Sequence, residues 1–117
     1  MSSFEPSASA QPAWRTGRLR RPAPPAVGER FDPVVTLRAV DIEEITSSDT
    51  PDPTNYDQAQ DEWVLVLEGS ATLDVDGTTV TLGPGEWLLL PARTKHRVVS
   101  TVDGTRWLAV HVHASPS

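Results

Sequence analysis

The residues of this chain that could do chemistry fall in a few short stretches. Tyr56, Gln58, Gln60 and Glu62 stand at alternate positions, so along an extended strand they share one face. Such a row would line the mouth of a pocket with polar groups; otherwise it is the solvated polar end of a strand. Glu62 directly precedes the apolar run Trp63-Val64-Leu65-Val66-Leu67. A carboxylate carried into apolar surroundings needs a partner, because an unpaired buried charge is very costly. A metal ion, an arginine or a proton would each serve, and a surface glutamate would need none.

His96 follows Arg93-Thr94-Lys95 and opens another strand-like segment. Neutral imidazole ligates zinc, iron, copper and nickel, and serves as often as a hydrogen-bonded structural group. His111 and His113 lie two apart on one strand and so share a face. His111 reaches the interior only if Trp107 and Ala109 point inward with it. The opposite register buries Leu108, Val110 and Val112, and is the more natural hydrophobic choice.

The elements that would position these groups are strands. Val34 to Leu37 and Val40 to Ile45 are β-like, and Pro51, Pro53, Asp49 and Asp52 mark a loop after them. Glu62 to Leu67 is apolar on both faces, Gly69 breaks it, and Ala71 to Asp76 alternates cleanly. Asp76-Gly77 is a hairpin turn signal leading into Thr78 to Leu82. Gly83-Pro84-Gly85 turns into Trp87 to Leu90; His96 to Thr101 and Arg106 to Val112 complete the series. Short strands at this spacing, with no helix, predict an all-β sandwich or barrel. Trp63, Trp87 and Trp107 are expected as core or pocket-wall residues. Residues 1–28, rich in proline, serine and alanine, have no apolar period and are expected to form a flexible arm.

Two spacings carry a resemblance. Glu62, six residues, then Gly69 matches the second half of the first cupin motif; Gly85, five residues, Pro91, one residue, Arg93, two residues, His96 follows the second. The chain therefore resembles a small single-domain cupin, a jelly-roll β-barrel, over residues 34–113. Tyr56-Asp57-Gln58 leading to Glu62-Trp63-Val64, and Trp107 to His111, resemble a bacterial subgroup of small cupins. The departures are as informative. Where the family's first motif has two metal-binding histidines this chain has Tyr56 and Gln58; where the second has glycine and asparagine it has Arg93 and Ser100. The resemblance implies a divalent metal (zinc, manganese, iron or nickel) on Gln58, Glu62 and His96, with His111 or water completing the shell. In that case Lewis-acid or oxygen chemistry follows, with Glu62 as a base and Tyr56 as a proton donor. Loss of the two motif histidines instead favours a metal-free module holding a small polar molecule by hydrogen bonds from Tyr56, Gln58 and His96. A purely structural barrel is the third reading. The family implies a homodimer.

Composition narrows the rest. The chain has 117 residues, 38% of them hydrophobic, enough for one modest core. With no cysteine there are no disulfides, thiol nucleophiles or thiolate metal sites. The first 33 residues carry a net +2 from five arginines, and residues 34–117 a net −8. An acidic folded region does not build a nucleic-acid face. No apolar run is long enough to span a membrane, and Arg20-Arg21 lacks the apolar segment of an export signal, so the expected compartment is the cytoplasm. No serine–histidine–carboxylate triad and no phosphate-binding loop is visible, and no enzymatic assignment follows.

Overall fold

The computed structural model describes residues 14–114, so the beginning of the expected arm lies outside the described residues. Among the described residues eight antiparallel strands form two sheets: β1 (Glu29–Leu37), β2 (Val40–Ser47), β3 (Asp61–Glu68), β4 (Ala71–Val75), β5 (Thr78–Leu82), β6 (Trp87–Leu90), β7 (His96–Thr101) and β8 (Thr105–Val112). The larger sheet runs β1-β2-β8-β3-β6, the smaller β5-β4-β7. The sequence places each turn. Asp76 and Gly77 both adopt positive φ, 49° and 83°, the primed turn that matches strand twist.

The core between the sheets is small and apolar. Ile45, Val64, Val66, Leu73, Leu82 and Trp107 pack around Ala71 and Ala109. Trp107 donates its indole N–H to Ser47 Oγ at 2.9 Å, so the large ring is buried without stranding its donor. Gly69, at φ 88°, runs close against Thr105; a Cβ there would sit 2.8 Å from the Thr105 Cα. The first motif's glycine thus answers to both a left-handed backbone and a close approach.

Three placements differ from expectation. β1 begins at Glu29, ahead of the boundary expected at residue 34, because Glu29, Arg30 and Phe31 pair with Ser47, Thr46 and Ile45. Pro33 sits within β1, where the register shifts between Pro33 and Val35. β8 takes the register judged less natural: Trp107 and Ala109 are buried inward, while Leu108 and Val110 face out. The reason is that the outer face of this sheet is itself apolar. Val35, Ile42, Val110, Trp63 and Leu89 stand side by side across all five strands, so counting hydrophobics could not choose a face. Trp63 and Trp87 belong to that outer surface, not to the core; their rings lie 6.2 Å apart and Trp87 is 58% exposed.

From Trp14 to Pro25 the chain has no regular secondary structure, yet it is tied to the barrel. The backbone amides of Arg20 and Arg21 donate to the two oxygens of Glu44 at 2.8 and 3.0 Å. Arg106 donates to the carbonyls of Arg21 and Pro22, and Arg21 pairs with Glu68 at 2.6 Å.

Candidate functional site

The inner face of the larger sheet turns polar where β2, β8 and β3 meet. Register alone puts Asp41 opposite His111, and His111 opposite Glu62. In the next row Ala109 lies opposite Glu43 and Val64, and its small side chain leaves Glu43 free to reach His111. His111 Nε2 is 2.9 Å from Glu43 Oε1 and 3.7 Å from Glu62 Oε2.

His96 comes from the other sheet. It is paired with Val75 in β4 and carries an isolated bridge to Tyr56, with Tyr56 N donating to His96 O at 2.8 Å and His96 N to Tyr56 O at 3.1 Å. The Tyr56 ring stacks on the imidazole at 5.3 Å. His96 Nδ1 lies 2.9 Å from the Thr94 carbonyl, which assigns a proton to Nδ1, so that in the neutral ring Nε2 is an acceptor. Nε2 is 3.7 Å from Glu62 Oε1.

Glu62 is the centre of this arrangement. It is 7% exposed, and its Oε1 has no hydrogen-bond partner. Both imidazoles stand beyond hydrogen-bond length from it. Burial pushes its carboxyl above the usual range, against the pull of His111 and His96. His111 is held above its ordinary value, first by its hydrogen bond to Glu43. Burial also raises the Tyr56 phenol.

These groups surround a cavity of about 110 Å³ whose polar lining is Glu29, Glu43, Tyr56, Gln58, Glu62, His96 and His111. Tyr56, Gln58, Glu62, His96 and His111 are therefore brought together. Gln60 is not among them: β3 starts only at Asp61, so the alternation does not reach back through a bend at residues 59 and 60. Gln60 instead donates to Gln58 Oε1 at 2.7 Å and lines an outer groove with Asp41 and His113.

Sequence reasoning missed Glu29 and Glu43. Ser47 Oγ donates to Glu29 Oε2 at 2.7 Å, and burial raises the Glu29 carboxyl. The available signal was alternation: Glu43 shares parity with inward Ile45 on β2.

The donor set does not fit the metal centre that the spacings imply. Among the described residues no three histidine, aspartate or glutamate side chains converge as ligands. Tyr56 stacks on His96, His111 Nε2 is taken by Glu43, and Gln58 Oε1 accepts from Gln60. Glu62 Oε1 and His96 Nε2 remain as a pair of donors, too few for a site built by protein side chains.

Comparison with known proteins follows the same lines. The family model described as Cupin domain matches residues 43–111. A Ralstonia eutropha structure, provisionally named a mannose-6-phosphate isomerase, is 38% identical, with a TM-score of 0.72 over 86% of this chain and 99% of that one. A Rhizobium leguminosarum protein of unknown function is 28% identical, with a TM-score of 0.64 over 74% of this chain and 82% of that one. An RmlC-like cupin from Shewanella frigidimarina shares the fold at 14% identity, with a TM-score of 0.70 over 89% of this chain and 93% of that one. A search of curated proteins gave no match.

Proposed function

The chain belongs to the cupin domain family, and from that premise we propose that it binds a small polar molecule inside the barrel without a resident metal. One observation carries this reading: a carboxylate oxygen of Glu62 is buried and unpartnered, and Glu62 lines a cavity together with two imidazoles. Leaving such an oxygen unsatisfied costs on the order of 1–3 kcal/mol or more. A ligand hydrogen bond to Oε1 removes that cost. His96 Nε2 offers a second acceptor, Gln58 and Tyr56 offer donors, and the Tyr56 ring covers one side.

The name of the Ralstonia relative does not transfer readily. Among the described residues no lysine or arginine lines the cavity, and Glu29, Glu43 and Glu62 do, so a phosphate dianion would be repelled there. The same reading has the protein acting as a homodimer in the cytoplasm. The outer row from Val35 to Leu89, with Leu89 55% exposed, supports burial against a second copy.

Thermal unfolding of the purified protein against a library of small polar compounds, with and without chelator, tests the reading. Stabilisation that survives chelator is expected. Stabilisation abolished by chelator, or none by any compound, overturns it.

A further inference from the structure

The chemistry of the cavity wall also selects the ligand, and this step rests on the reading just given. Among the described residues three carboxylates, Glu29, Glu43 and Glu62, meet around the cavity, and no lysine or arginine side chain does. Their internal partners are few. Glu29 accepts one hydrogen bond from the neutral Ser47 hydroxyl, Glu43 is joined to His111, and Glu62 Oε1 accepts nothing. Even with His111 carrying a proton, the wall keeps an excess of negative charge. In a region of low polarisability that excess favours a cation over any neutral or anionic guest.

The second constraint is size. A dry cavity of roughly 150 Å³ accommodates benzene. The 110 Å³ here therefore admits about five heavy atoms or fewer of whatever part of a guest enters it. The third is direction. Glu62 Oε1 and the neutral His96 Nε2, 3.7 Å apart, are acceptors on two residues that line the cavity, so a guest that reaches both must bring at least two polar hydrogens from one atom or from neighbours.

We propose that the occupant of this cavity is a compact organic monocation, a small protonated amine that donates N–H bonds to Glu62 Oε1 and His96 Nε2 while Glu29 and Glu43 balance its charge. An ammonium group meets each requirement at once: positive charge, multiple donors on one small atom, and no acceptor to leave unpaired against the carboxylates.

The test is a titration of the full chain with ethylammonium, acetamide, acetate and inorganic phosphate at matched ionic strength near pH 8. It is followed by thermal stabilisation and by the ring signals of His96 and His111. Saturable binding of ethylammonium is expected, with at least tenfold weaker binding of acetamide and none of acetate or phosphate. Glu62→Gln should weaken ethylammonium about tenfold to a hundredfold, the loss of one charge-assisted bond, and Glu29→Gln, which removes only a balancing charge, about tenfold or less. Equal or tighter binding of acetamide, acetate or phosphate overturns the cation assignment while leaving the binding pocket standing. Stoichiometric uptake of zinc or manganese that blocks ethylammonium also overturns it, because the occupant is then a metal. No response to any probe overturns both the assignment and the pocket.

Discussion

Glu44 and Glu62 sit on opposite faces of the same sheet, both buried, at 1% and 7% exposure. Their surroundings differ completely. Glu44 faces outward beneath the N-terminal segment, accepts two backbone amides and has Arg106 3.9 Å away. Glu62 faces inward to a cavity, with one oxygen unpartnered and only imidazoles at 3.7 Å. A buried carboxylate whose bonding is complete holds a structure together. One that is left open at a cavity costs stability in the free protein, and that cost is recovered only with a ligand. The contrast separates anchor from site without reference to any relative.

Substitutions should read the contrast directly. Glu44→Ala strands the amides of Arg20 and Arg21 and the Arg106 guanidinium, and is expected to cost about 2–4 kcal/mol. Trypsin should then cut after Arg18 and Arg20 much faster than in the parent; unchanged cleavage would mean that Glu44 is no anchor. Gly69→Ala forces a Cβ against Thr105 from a left-handed backbone, and should cost about 1–3 kcal/mol by urea unfolding. Neither variant should change the affinity of the cavity once folded, and a selective loss there would blur the division.

Arg93 gives a smaller effect of opposite sign. It holds φ 67°, and its exposed side chain pairs with Asp57 at 3.1 Å. Arg93→Gly relieves the backbone and loses a weak surface pair, so it is expected to be neutral or to stabilise by up to about 1 kcal/mol. A loss above that range would show that the Asp57 contact outweighs the strain.

The smallest effect is with pH. His111 is raised above 6.5, so its contribution is complete below that value and is lost as pH rises through the folded value. Glu62 is raised above 4.5, so the native state holds its proton more tightly and stability falls as pH rises from 4.5 through the folded value. Both give a shallow decline in unfolding free energy from about pH 5 upward. Glu43→Gln, which removes the main cause of the His111 shift, should flatten the upper part of that decline. An upper limb as steep as the parent's would show that His111 does not titrate as argued.

Much of this was legible in the sequence, and the limits have physical causes. The strands from Glu62 onward and the Asp76-Gly77 turn follow from alternation and turn chemistry, and the pair Glu62 and His96 is what the resemblance to the two cupin motifs implies. The register of β8 was not legible, because a central strand with apolar residues on both faces carries no amphipathic signal. Gln60 was misplaced because period-two alternation holds only inside a strand, and β3 begins one residue later. Glu29 escaped notice because a carboxylate at a strand end looks solvated, and Glu43 because its neighbour Glu44 makes the two faces of β2 read alike. The seating of residues 20–22 depends on contacts with Glu44 and Arg106, far away in the chain, which no local pattern reveals.

The central claim is that Glu62 is held open for a ligand at the expense of stability, without a metal. Urea unfolding of Glu62→Gln beside the parent, both analysed for bound metal after exposure to excess zinc and manganese, tests it most directly. The account predicts equal or greater stability in Glu62→Gln, by up to about 2 kcal/mol, with no stoichiometric metal in either protein. A loss of stability comparable to that of Glu44→Ala, or one metal per chain in the parent that disappears in Glu62→Gln, would contradict it.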